Sequence, residues 1–164
     1  MSDDPVTMTE IEETRLDWTA QHRQDYLRSG GTKGHVVDVR EIGGLRFTTC
    51  LLLKTIGRKS GEERILPLIY GDTGGEVVIV ASKGGADVHP AWFLNLQEKK
   101  EVEFQIGGQA FRGTWREPTG AERAEIWAFM EKLYPPYVDY QKATNREIPL
   151  VVMAAGDEIP VFKE

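Results

Sequence analysis

The chain has 164 residues, of which 40% are hydrophobic and 28% charged, a composition that is ordinary for one globular domain with its own core. Its formal net charge of −6 argues against nucleic acid as a partner, because domains that bind nucleic acid usually have a basic surface. The sequence lacks the run of roughly 18 apolar residues that a transmembrane helix needs, and its acidic beginning does not resemble a signal peptide. We therefore expect one cytoplasmic domain over residues 1–164.

The charges are unevenly distributed along the chain. Residues 1–28 contain seven acidic residues and three arginines, whereas residues 32–64 contain seven basic and four acidic residues. A basic segment in an acidic protein indicates an anionic ligand rather than non-specific binding.

Little in the sequence favours thiol or metal chemistry. Cys50 is the one cysteine, so no internal disulfide forms, and its apolar neighbours predict a buried, inert thiol. The histidines at 22, 35 and 89 lack the i,i+4 spacing of a helical zinc pair. We predict no metal site.

The N-terminal part predicts one helix. Residues 1–8 are polar, and we expect them to be disordered. A helix is predicted over 9–28, with Thr9 as N-cap and Glu12 completing a capping box. The glycine-rich residues 29–34 then predict a loop.

A series of strands follows, separated by short turns that contain glycine. The predicted strands are 45–55, 63–70, 76–82, 101–106, 110–115, 148–153 and 159–162. Gly107-Gly108 is typical of a two-residue hairpin turn. Because hairpins rather than crossover helices connect these strands, we predict an antiparallel barrel, closed or partly closed, instead of a Rossmann-type sheet.

Helices are predicted between some of the later strands. The first begins at Pro90, a favourable first-turn residue because it has no N–H to leave unpaired. The second has a predicted capping box of Thr119 and Glu122 and ends at Pro135-Pro136. A further short helix is predicted over 137–144. The predicted fold class is mainly β with flanking helices.

Cations cluster around the turn at 57–61. Arg58, Lys59 and Arg64 are compatible with a solvated turn that Glu62 and Glu63 partly balance, and also with a clamp for phosphate or carboxylate. The turn is not a P-loop, since Arg58 stands where that motif requires glycine before the lysine.

Two further segments offer ligand-binding groups. Residues 82–85, Ser-Lys-Gly-Gly, end an apolar strand and supply a hydroxyl, an ammonium and backbone N–H groups, although an ordinary strand-to-loop transition has the same composition. Trp92 and Asn95 lie in the helix that begins at Pro90. Tyr134, Tyr137 and Tyr140 are spaced at intervals of three, which suits either a core or the edge of a pocket.

Taken in order, these segments resemble the deazaflavin-dependent nitroreductase family, also described as quinone reductases that use the reduced 8-hydroxy-5-deazaflavin coenzyme F420. The matching segments are 57–61 with Arg64 and Pro67, 80–86, 90–96, 134–140 and 146–149. The similarity runs over residues 18–153.

The resemblance implies a split β-barrel like that of FMN-binding pyridoxamine oxidases. It also implies hydride transfer from reduced F420 to a small quinone-like or nitroaromatic acceptor. Two alternatives stay open, an FMN-dependent split-barrel oxidase and a deazaflavin carrier without catalysis. The oligomeric state, monomer or homodimer, and a peripheral association with membranes are left open by the sequence.

The resemblance also implies roles for individual residues. Arg58, Lys59, Ser60 and Arg64 would hold the phosphate and oligoglutamate tail. Tyr137 and Ser82 would be catalytic, beside the reacting ring and the acceptor. The further coenzyme contacts would be Ile65, Leu66, Pro67, Val80, Ala81, Ser82, Lys83, Ala91, Trp92, Phe93, Leu94, Asn95 and Tyr137.

Overall fold

The structure, a computed structural model, describes residues 19–164. Within that range an antiparallel sheet has eight strands: β1 Val36–Val37, β2 Thr48–Ile56, β3 Glu63–Ile69, β4 Gly71–Asp72, β5 Glu76–Val80, β6 Glu101–Ile106, β7 Gln109–Arg116 and β8 Leu150–Ile159. Their order is β1-β2-β6-β7-β8-β5-β4, with β3 paired to the other edge of β2. The prediction of an antiparallel, mainly β fold is confirmed.

The sheet curls so that both faces of its central strands are covered. In β2, Leu51 and Leu53 enter the cluster around Phe93 and Phe104, whereas Leu52 enters a separate cluster. The side chains of β5 alternate in the same way between two clusters. Since successive side chains of a strand point to opposite faces, these apolar runs predict strands that are buried on both sides.

Four α-helices flank the sheet within the described residues, and short 3-10 helices lie at Arg40–Ile42 and Lys83–Gly85. The α-helices are α1 over residues 19–28, α2 Ala91–Leu96, α3 Gly120–Leu133 and α4 Pro136–Lys142. The predicted N-terminal helix is therefore confirmed over 19–28, while residues 1–8, Thr9 and Glu12 lie outside the described residues.

A buried tyrosine fastens α1 to the barrel. The Tyr26 hydroxyl, which is fully buried, accepts the N–H of Gly107 at 2.8 Å and lies 3.0 Å from the Cys50 carbonyl oxygen, to which it donates. The Gly31 N–H donates to the Tyr26 carbonyl oxygen at 3.0 Å. The loop at residues 29–34, which contains Gly31, therefore lies directly over the turn between β6 and β7.

Two predictions about local structure are wrong. The predicted capping box is absent: the Thr119 side chain makes no cap bond to α3, and the Glu122 carboxylate pairs with Arg116 Nη1 at 2.6 Å. The predicted strand at 159–162 is also absent, since β8 ends at Ile159 and Pro160 has no N–H to continue the ladder. The Phe162 N–H donates instead to Gln105 Oε1 at 2.8 Å.

Candidate active site

Two cavities lie next to each other. They are bordered by β3, by the segment after β5 and by the helices α1, α2 and α4. One has a volume of about 440 Å³ and is called the aromatic chamber, and the other has a volume of about 710 Å³ and is called the basic chamber. Leu66, Lys83, Pro90 and Trp92 line both chambers. The two chambers are therefore adjacent, and together they are called the groove.

Apolar side chains and tyrosines line the aromatic chamber. Its apolar lining comes from β3 and the 37–42 segment, and Tyr134, Tyr137 and Tyr140 form its edge. The rings of Tyr134 and Tyr137 meet edge to face, with centroids 4.9 Å apart, and those of Tyr137 and Tyr140 do so at 6.1 Å. Edge-to-face contacts of this kind fix the ring orientations, so the wall of the chamber is preorganised.

The two residues predicted to be catalytic line the same chamber. Tyr137 is 4% exposed, and neither its hydroxyl nor that of Ser82 makes a hydrogen bond within residues 19–164. Burial raises the pKa of Tyr137 above its ordinary value, so its hydroxyl stays protonated at neutral pH. Both hydroxyls are available as donors to a molecule in the chamber.

Lys83 stands at the junction of the chambers in an uncommon backbone conformation. Its φ is +45°, a positive value found at no other non-glycine residue that the structure describes, and Gly84 and Gly85 follow with φ of +63° and +87°. A left-handed backbone costs a side-chain-bearing residue about 1–2 kcal/mol, so the surrounding structure must hold it. The ammonium group is thereby placed where both chambers reach it.

Cations are the main feature of the basic chamber. Arg23 of α1, Arg64 of β3 and Lys83 line it. Arg23 Nε donates to the Ile65 carbonyl oxygen at 2.7 Å, which fixes this side chain against β3. Arg64 pairs with Glu62 at 3.5 Å, but both side chains are exposed, and such pairs contribute little. Arg64 therefore remains a suitable partner for an anion.

The basic turn at 57–61 lies beside this chamber rather than in its wall. Arg58 donates to Asn95 Oδ1 from both its backbone N–H and its Nη1, each at 3.1 Å. Asn95 lines the basic chamber, so it couples the turn to α2. Ser60 Oγ accepts the Glu62 N–H at 3.1 Å and closes the turn. Arg58, Lys59 and Ser60 line neither chamber.

The two faces of α2 have different surroundings. Trp92 and Asn95, three residues apart, face the groove, and Ala91 lines the basic chamber. Phe93 is buried in the core, where its ring meets that of Trp115 at 6.4 Å, and Leu94 lines neither chamber.

The remaining predicted contacts divide in a similar way. Ile65 lines the basic chamber, Leu66 lines both, and Pro67, Val80 and Ser82 line the aromatic chamber. Ala81 is fully buried in the core and lines neither. Any contribution of Ala81 and Phe93 to binding would therefore come from positioning their neighbours.

Several lining residues are absent from the predicted set. Thr19 and His22 of α1 line the aromatic chamber, and Arg23 lines the basic chamber. Their spacing of three and four residues puts them on one face of the helix, which the sequence pattern shows, but the pattern does not show what that face covers. Val37, Val39 and Ile42 were also missed.

Cys50 lines the aromatic chamber, but its thiol is poorly reactive. Its thiol is buried as predicted, and burial raises its pKa to about 12.

Within residues 19–164, no three His, Cys, Asp or Glu side chains are grouped as a metal site would require. In the same range, no helix has the length and apolar character needed to cross a membrane.

Known proteins that are similar to this chain point to one family. A family model described as F420H(2)-dependent quinone reductase matches residues 18–155. An F420H(2)-dependent quinone reductase of Mycobacterium tuberculosis is 37% identical over 106 residues, which cover 63% of this chain and 71% of the relative.

Two solved structures are also similar. One, described as an F420-H2 dependent reductase, shares 38% identity and a TM-score of 0.58, and the match covers 63% of this chain and 92% of that chain. The other, described as a domain-swapped dimer, shares 35% identity and a TM-score of 0.61, and the match covers 85% and 98% of the two chains. The chain therefore belongs to the F420H(2)-dependent quinone reductase family, and its curled sheet is the split barrel of an F420H(2)-dependent reductase.

Proposed function

We propose that this reductase transfers a hydride from reduced F420 to a quinone-like acceptor that binds in the aromatic chamber. The observation that carries the proposal is the adjacency of the two chambers. An apolar, tyrosine-edged chamber shares four lining residues with a chamber lined by Arg23, Arg64 and Lys83. This combination suits a coenzyme that has a flat ring at one end and an anionic tail at the other.

The cations are suited to the tail of F420. A tail with a phosphodiester and several carboxylates needs several positive groups, and each charge-assisted hydrogen bond contributes roughly 1.5–3 kcal/mol. Lys83 lines both chambers, and Arg64 and Arg23 line the basic chamber alone. FMN has a single phosphate, so an extended cationic chamber favours F420 over FMN.

The tyrosine edge and Ser82 are suited to the acceptor. When bound, reduced F420 supplies the hydride. Tyr137 and Ser82 donate hydrogen bonds to the acceptor oxygen on which negative charge develops, and the protonated phenol is a proton source for it. The tyrosine rings give this part of the groove an apolar wall. Nitroaromatic acceptors carry oxygens that these donors would also reach, so we include them in the proposed substrate range.

A titration tests the proposal. The protein is titrated with F420 and, separately, with FMN, while fluorescence is followed. Menadione or a nitroaromatic compound is then added to the complex with reduced F420. We expect F420 to bind, FMN to bind weakly, and menadione to oxidise the complex. Tight FMN binding without F420 binding would exclude the proposal. F420 binding without oxidation by any acceptor would favour a carrier.

We expect Tyr137→Phe to lower kcat by about 10²-fold, the lower end of the range for a positioned proton donor, and to change the Kd of F420 less than about threefold. The reason is that the ring, which shapes the chamber, is kept while the donor is lost. Tyr140→Phe is the matched control, since Tyr140 lines the same chamber and its hydroxyl lies 3.5 Å from that of Tyr134. Steady-state kinetics with menadione measure both variants, and equal losses of kcat would argue against a specific role for Tyr137.

A further inference from the structure

We propose that Arg146 is a positioning residue for the reaction: it holds segment 81–86 in the conformation that presents Ser82 and Lys83 to the groove. The ligand side of this proposal rests on the proposed function. Arg146 precedes β8 and lines neither chamber, so any effect on the ligand has to pass through the segment that it contacts.

The guanidinium of Arg146 bonds to both ends of that segment. Nε donates to the Ala86 carbonyl oxygen at 2.7 Å, Nη2 to that of Ser82 at 2.9 Å, and Nη1 to that of Ala81 at 3.2 Å. None of the ion pairs within residues 19–164 includes Arg146. Burial lowers the pKa of Arg146, with Asp87 opposing the shift, as expected for a cation that is solvated mainly by carbonyl oxygens. The side-chain N–H groups of Arg146 therefore bond mainly to backbone carbonyl oxygens of this segment.

The contacts surround the strained residue. Lys83 has a φ of +45° and lies between the Ser82 and Ala86 carbonyls that Arg146 fixes. A planar guanidinium directs its N–H groups along set directions, so one side chain defines three carbonyl positions at once. A lysine ammonium, as a compact point charge, does not impose that geometry. The left-handed conformation of Lys83 therefore has an identifiable support.

The same arginine also contacts residues outside the segment. Its Nη1 lies 3.0 Å from His89 Nδ1, and because a guanidinium only donates, Nδ1 is the acceptor. The Arg146 carbonyl oxygen accepts from Gln141 Nε2 of α4 at 2.8 Å. Because this bond is to the backbone of residue 146, it does not depend on the arginine side chain, and the proposal concerns segment 81–86 alone.

The test compares Arg146→Gln and Arg146→Lys with Arg123→Gln. Arg123 is a matched control, because its guanidinium donates to the Ile148 carbonyl oxygen at 2.8 Å and pairs with Glu147 at 3.1 Å. Both partners follow Arg146 closely in sequence, and neither belongs to segment 81–86. We expect Arg146→Gln to weaken F420 binding at least about tenfold, Arg146→Lys to recover only part of that loss, and Arg123→Gln to stay within about twofold.

A double-mutant cycle with Lys83→Ala separates positioning from general destabilisation. If Arg146 acts through Lys83, the loss of affinity in the double variant is smaller than the product of the two single losses. Multiplied losses, or unchanged affinity in a folded Arg146→Gln variant, would overturn the proposal. Where Arg146→Gln fails to fold, Arg146→Lys is used in the same cycle with the same criteria.

Amide hydrogen exchange tests the anchor without any coenzyme. Arg146→Gln should accelerate exchange across residues 82–86, and Arg123→Gln should leave those amides unchanged. Unchanged exchange in Arg146→Gln would refute the anchor itself. Accelerated exchange in a protein that does not bind F420 would instead uphold the anchor and reject the proposed function.

Discussion

Arg64→Ala combined with Lys83→Ala should weaken F420 binding by roughly 10²–10⁴-fold, the equivalent of losing two charge-assisted hydrogen bonds of about 1.5–3 kcal/mol each. Both side chains line the basic chamber, and the ion pair of Arg64 with Glu62 is too exposed to compete strongly. Fluorescence titration at fixed ionic strength measures the effect. Added salt should weaken binding to the unmodified protein more than to the double variant, because fewer charges remain to be screened.

The control for this variant keeps the change in net charge but moves it away from the groove. Arg46 and Lys132 are exposed and line neither chamber. Replacing both with alanine should leave the Kd of F420 within about threefold, because exposed charges that do not contact the ligand are largely screened by salt. A comparable loss in the control would mean that overall charge, rather than the chamber, determines affinity.

The basic turn provides a second comparison. Arg58→Ala with Lys59→Ala should also weaken F420 binding without unfolding the protein, because Arg58 contacts Asn95 at the edge of the basic chamber. We expect a smaller loss than in Arg64→Ala with Lys83→Ala, since neither residue of the turn lines the chamber. The opposite ranking would place the tail of the coenzyme on the turn.

Gly31→Ala should lower the free energy of unfolding by about 2–5 kcal/mol, whereas Gly30→Ala should lower it by only about 1–2 kcal/mol. Both glycines have positive φ, so alanine is strained at either position. They differ in their surroundings: a Cβ at Gly31 would overlap the Gly107 carbonyl group, but a Cβ at Gly30 would have no atom within 4 Å. Urea denaturation measures the free energy of unfolding of both variants, and the difference between them is the cost of the overlap.

The overlap falls where α1 is fastened to the barrel. The Gly107 N–H donates to the buried Tyr26 hydroxyl. A displacement of Gly107 would therefore disturb that hydrogen bond as well. Equal losses of stability in the two variants would show that the hairpin turn moves aside without cost, and would contradict the tight contact between loop and turn.

The sequence predicted the parts of the sheet whose apolar pattern is local. The leucines of β2 and the valines of β5 are apolar at consecutive positions, which is typical of strands buried on both faces. The outer half of β8, Ala154–Glu158 in the strand Leu150–Ile159, has no such pattern. It pairs with β7 through a register shift between Arg112 and Gly113, a distant partner that no short segment reveals.

The site was predictable where a motif and a wall of the groove coincide. Tyr137, Ser82, Lys83 and Trp92 all line the chambers. Asn95 was noted as a polar residue in an apolar helix, but its bond to Arg58 depends on a turn 37 residues away. Arg146 belonged to a matching segment without an assigned role, because its partners are backbone carbonyls, which carry no signature in sequence.

The position of α1 ties occupancy of the groove to the stability of this helix. Because Thr19, His22 and Arg23 line the two chambers, a ligand filling the groove binds the form in which α1 is docked. By mass action, coenzyme at 100 times its Kd adds about 2.7 kcal/mol to the stability of that form. Hydrogen exchange of residues 19–28 should therefore slow as F420 is added, and an unchanged rate would show that the two are uncoupled. On this view α1 helps to retain the ligand, and the bound ligand in turn protects α1 from unfolding.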